Sequence, residues 1–142
     1  MSSFLTMIRE THPSKVMLLY RLLAGVPLTL FGVIHLLNPA PLRDILVVSE
    51  FPMVEVNVYL APTLEVIAGL SMLVGFYVRI GGILGVAIMI PAIIATAKLQ
   101  EMADAPHVPS ILIPIVILLA CLLLIWRGAG DWSVDWSQTS RM

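Results

Sequence analysis

The 142 residues are 59% hydrophobic and only 12% charged, far from the roughly one-quarter charged expected of a soluble domain. With a mean hydropathy of +0.99 the chain reads as a membrane protein. A net charge of −1 argues against a nucleic-acid partner, and the single cysteine, Cys121, allows neither an intrachain disulfide nor a CxxC redox pair.

Four apolar stretches are long enough to cross about 30 Å of hydrocarbon at about 1.5 Å per residue: about 16–37, 56–77, 80–99 and 109–126. In lipid these must be helices, since open strands would leave backbone groups unpaired. The expected fold class is all-α, an integral membrane four-helix bundle forming a single domain over residues 1–142. The first span is too long for a signal-peptide h-region, has no A-x-A-like site after it and is followed by further spans, so it is expected to stay as an anchor. Each span carries an interior proline, Pro27, Pro62, Pro91 and Pro114. Pro62 either kinks a long helix or starts a shorter one.

Basic residues set the orientation. Arg9, Lys15, Arg21, Arg79, Arg127 and Arg141 fall on one side and Arg43 and Lys98 on the other, which places both termini in the cytoplasm. Trp126, Trp132, Trp136, Tyr20 and Tyr77 then fall at the inner interface, where amphipathic rings are favoured. The connections of about 38–55 and 100–108 face outward and collect Asn38, Arg43, Asp44, Glu50, Glu55, Glu101, Asp104 and His107, with His35 and Lys98 at the outer helix ends.

In the second span Glu65 stands inside YLAPTLEVIAGL. With a helix that begins near Val54 and bends at Pro62, Glu65 is eleven residues in, at about 16 Å and mid-membrane depth. With a helix that begins at Pro62, it is one turn in, beside the positive helix end. The first alternative is preferred, because the second leaves only about 16 residues for a span. A buried, unpaired carboxylate costs a few kcal/mol or more, which favours the protonated acid and demands a partner. His35, Lys98 and Arg43 are the candidates, and Glu65, His35, Arg43 and Lys98 form the candidate ligand-binding set. No metal site is expected, since His107, on a loop, is the one residue that could join His35. HExxH, GxSxG and phosphate-loop patterns are lacking. Gly81-xxx-Gly85, in RIGGILG, suits close helix packing, and the eight methionines read as adaptable apolar filler.

Three segments carry a family resemblance. RLLAGVPLTLFGVIHLLNP (Arg21 to Pro39), LEVIAGLSMLVGFYVRIGG (Leu64 to Gly82) and GAGDWSVD (Gly128 to Asp135) together resemble DoxX-like membrane proteins: Arg-Leu-Leu, two glycines seven apart and a basic residue before Asn-Pro, then Glu and a glycine-rich run, then a closing Ser-x-Asp. The resemblance implies a four-helix bundle. It maps the family's acidic residue onto Glu65, its basic residue onto His35, and its Ser-x-Asp onto Ser133 and Asp135. Histidine in place of the commoner lysine puts a side chain whose charge changes near neutral pH at that position.

The resemblance also implies a range of roles. DoxX-like proteins include a membrane subunit of thiosulfate:quinone oxidoreductase, partners of redox-stress enzymes, and assembly factors or chaperones. One expectation is a subunit of a quinone-linked oxidoreductase in the cell (inner or plasma) membrane, holding a quinone near Glu65 and His35 and receiving electrons from a protein partner. The alternatives are a non-catalytic scaffold, assembly factor or chaperone, in contact with other proteins or with further copies of itself, and a bundle that binds a lipid or sterol-like ligand or acts as an isomerase.

Overall fold

The computed structural model describes residues 14–101 and 110–139. Among the described residues every regular element is helical: α1 (Val16–Leu37), α2 (Ala40–Val48), α3 (Val54–Val74), α4 (Val78–Glu101), α5 (Leu112–Arg127) and α6 (Val134–Thr139). Arg9, Asp104, His107 and Arg141 lie outside the described residues.

Three helices, α1, α3 and α4, are long and apolar enough to cross a membrane, consistent with a multi-pass membrane protein. The fourth expected span is shorter: α5 has 16 residues, about 24 Å, and ends at Gly128, whose φ of 79° suits glycine. The connection after α1 also departs from expectation, since it contains the helix α2. Pro39 caps it and Pro41 lies in its first turn, where the missing N–H leaves no bond unmade.

α1 packs against α3 and α5, and α4 against the same two helices. Leu28, Met72, Cys121 and Leu124 meet in the centre, none of them more than 1% exposed. The glycines set how closely the helices approach. A Cβ on Gly25 would stand 2.9 Å from Leu73 and 3.0 Å from the Gly69 carbonyl oxygen. One on Gly69 would meet the backbone of Gly25 and both backbone and side chain of Thr29. The Gly81-xxx-Gly85 pattern is likewise used within the chain: Gly81 faces Ser71 of α3 and Gly85 faces Cys121 of α5. Because backbone cannot give way as a side chain tip can, Gly69→Ala is expected to destabilise the protein by about 1–3 kcal/mol, read as a lowered midpoint of thermal unfolding. An unchanged midpoint would mean that α1 and α3 are not held this close.

At the other end of the core a polar clamp closes the turn between α3 and α4. Gly75, with φ 76°, ends α3 by donating its N–H to Ser71 O at 3.0 Å. Arg21 of α1, 2% exposed, donates from Nε to Met72 O (2.7 Å), from Nη2 to Leu73 O (2.8 Å) and from Nη1 to Trp132 O (3.1 Å). These carbonyls include two from the last turn of α3, which lack helical partners. On the opposite side of the turn, Asp135 accepts the Tyr77 and Val78 N–H groups, both at 3.1 Å. It thereby caps the positive end of α4. Ser133 Oγ accepts the Trp136 N–H at 3.0 Å and donates to Gly130 O at 2.8 Å, fixing the segment that presents Asp135.

Candidate functional site: an apolar cavity with a His35–Glu65 pair

α3 runs unbroken through Pro62, so Glu65 is eleven residues from its start, as the preferred sequence reading has it. Of the three candidate partners, His35 is the one against which it packs. His35 is two residues from the end of α1, yet its Nδ1 lies 3.4 Å from Glu65 Oε2. The last turn of α1 is therefore level with the middle of α3, and the first turns of α3 stand beyond α1, alongside α2. Gly32, one turn before His35, makes this possible: a Cβ there would be 2.8 Å from Pro62 O and 3.0 Å from Glu65 Cβ.

At 3.4 Å the contact is long for a hydrogen bond, and neither His35 Nδ1 nor Glu65 Oε2 has any other hydrogen-bond partner. Buried polar atoms are nearly always satisfied, so an unsatisfied pair calls for an explanation. Glu65 is 8% exposed, while the His35 side chain retains 26% exposure and stacks against Phe31 one turn back, with ring centroids 6.4 Å apart.

Both residues line a cavity of about 450 Å³, within the roughly 300–1,000 Å³ of small-molecule sites. Its walls are aliphatic and aromatic, built by α1, α2, α3, α4 and α5 and including Leu46, Phe51, Leu64, Leu84, Met89, Pro91 and Ile117. The other polar residues on the wall are Asn57, Thr96 and Ser110. Asn57 Nδ2 is already engaged with Pro52 O at 2.9 Å.

The two remaining candidates, Arg43 and Lys98, do not line the cavity. The Arg43 guanidinium pairs with the Glu55 carboxylate, whose hydrogen bond and charge raise it above the ordinary arginine range. Lys98 Nζ donates to Ser49 O at 3.1 Å. Both hold α2 and its connection to α3 over the cavity, and neither reaches Glu65. Sequence reading uses Arg21 as one of the basic residues that set the orientation and as part of the family motif, and does not foresee its hydrogen bonds to the α3–α4 turn. The signal available was its place five residues into an apolar helix, short of the terminus that an interfacial residue would occupy.

A family model, DoxX, matches residues 16–98. The matched region holds Arg21, His35, Glu65 and the α3–α4 turn; Ser133 and Asp135 fall beyond it. No curated protein and no solved structure matches the chain. With more than half of its length matched by that model, the chain belongs to the DoxX family.

Proposed function

We propose that the chain is a four-span bundle of the cell membrane, with both termini cytoplasmic, that holds a quinone against Glu65 and His35 as one subunit of a redox system. The observation that carries this reading is the unsatisfied His35–Glu65 pair on the wall of an otherwise apolar cavity. A quinone combines a flat apolar ring with carbonyl oxygens that accept hydrogen bonds, which matches such a wall with donors at one place. When bound, it supplies a two-electron, two-proton acceptor, with the electrons coming from a partner protein that carries them.

The chain's own residues provide position and protons. The aliphatic walls hold a ring and exclude water, which strengthens each polar contact inside. The Glu65 carboxyl and the His35 N–H are the groups placed to hydrogen-bond a carbonyl. His35, the more exposed of the two, stands between the outside and buried Glu65, and at 3.4 Å it can restore a proton that Glu65 has given up.

A ligand without a hydrogen-bonding head would leave the pair unused, which favours a polar-headed one such as a quinone. The scaffold reading draws less support, because Gly25, Gly69, Gly81 and Gly85 are spent on contacts inside the chain. Titrating the purified protein with a benzoquinone bearing a decyl tail is expected to raise its midpoint of thermal unfolding, with stabilisation of about 2.7 kcal/mol at 100 times Kd. No shift at saturating quinone would overturn the reading.

A further inference from the structure

We propose that the cavity opens sideways into the bilayer between α3 and α4, and that its ligand is a polar-headed, membrane-dissolved molecule whose apolar tail leaves through this gap past Leu60 and Ala87. The proposal rests on the reading of the cavity as a ligand site and adds the route and the chemical class.

The two helices are in close contact at one end and line the cavity further along. Near the clamped turn Gly81 of α4 lies against Ser71 and the Ala68 carbonyl of α3, with its Cβ position 2.8 and 3.2 Å from them. One turn further along α4, Leu84 no longer faces a tight helix contact but forms cavity wall, and so do Ala87 on the next turn and Leu60 and Leu64 on α3. Glycine-mediated contact near the turn thus gives way to cavity wall further along both helices.

Leu60 and Ala87 are on the cavity wall and are also exposed, Leu60 to 48%. Phe31 of α1 and Ile113 of α5 also line the cavity and are exposed, 39% and 46%, but Leu60 and Ala87 lie on the two helices that Gly81 holds together at their other end. Ala87 is nine residues into α4, about 14 Å along it, well inside an apolar helix. It is flanked on the outer face of α4 by Ile83 and Ile90, 56% and 48% exposed. This mouth therefore faces hydrocarbon. His35 and Glu65, elsewhere on the wall, are where a polar head is satisfied. A ligand lying head-in and tail-out satisfies both ends, and it reaches the site by diffusing in the bilayer, with no passage through water.

Two probes separate route from site: 2,3-dimethoxy-5-methylbenzoquinone without a tail, and the same ring with a decyl tail. Binding of each is read by thermal shift in wild type, Ala87→Phe and Leu60→Trp, with Ile83→Phe, lipid-facing but off the cavity wall, as control. Both mouth residues are exposed, so larger side chains there leave the core packing intact. The expected result is a loss of at least ten-fold in affinity for the tailed probe in Ala87→Phe and Leu60→Trp, unchanged affinity for the tail-less ring, and wild-type behaviour of Ile83→Phe. If wild type binds both probes and the mouth variants weaken both equally or neither, the route is wrong and the ligand site stands. If wild type binds neither probe, site and route fall together.

Discussion

Arg21→Met is expected to cause the largest loss of stability of any single substitution in the described residues, about 3–5 kcal/mol, enough to prevent accumulation of folded protein. Methionine preserves length and apolar bulk and removes every donor. The carbonyls of Met72 and Leu73 would then lose their Arg21 donor at the end of α3, and Trp132 O would lose the link that ties the chain after α5 to the turn. The same change removes the buried positive charge that stands with Asp135, itself 2% exposed. Arg21→Lys keeps the charge but offers a single compact donor group in place of a planar fork, so its loss should be smaller yet still clear. Arg43→Gln is the contrast: its ion pair with Glu55 is exposed, and such pairs contribute little, so its unfolding midpoint should stay near that of wild type. Thermal unfolding in detergent distinguishes these cases. An Arg21→Met protein that melts with wild type would show that the clamp does not hold the turn.

Glu65 gives the largest expected effect on function. Glu65→Leu fills the same space without any hydrogen-bonding group, and loss of the bond to a head-group carbonyl should weaken quinone binding by roughly ten-fold or more. Glu65→Gln keeps the length and a donor but cannot give up a proton. Its affinity should remain within about threefold of wild type, while quinone reduction in membranes containing the partner falls by about 10²–10⁴, the usual worth of a positioned acid. If the Gln variant matches wild type in binding and reduction while the Leu variant fails to fold, Glu65 is a structural group and the proton role is wrong.

The features legible in the sequence are those that local physics dictates. Long apolar runs gave α1, α3 and α4, and a helix continuing through Pro62 followed from the number of residues a span needs. A carboxylate in an apolar run demanded a partner, and His35 was among the few side chains able to serve. What stayed hidden depends on contacts distant in sequence. Arg21 has partners 51, 52 and 111 residues away, and its depth in the helix hints at burial without naming them. The offset of α1 against α3 arises where Gly32 meets Pro62 and Glu65, and depth counted along each helix separately does not reveal it. α2 went unseen because APLRDILVV is too short and too polar to register as a span. Arg43 and Lys98 shared a side with Glu65, but their reach is taken up by Glu55 and Ser49.

The cavity belongs to the second kind. Its wall draws on α1, α2, α3, α4 and α5, and that assembly is not written in a single segment. Glu65 and His35 lie on that cavity, whereas Arg21, Ser133 and Asp135 belong to the clamp at the opposite end. The motif residues thus divide into a group that holds the bundle shut at one end and a pair placed at its open end.

The most direct test is organic extraction of the wild-type protein and Glu65→Leu, purified side by side from the same membranes, followed by mass spectrometry of the extracts. About one quinone per chain in wild type and strong depletion in Glu65→Leu is the expected result. Extracts with equal, trace amounts of quinone from both proteins would contradict a quinone site at Glu65 and His35.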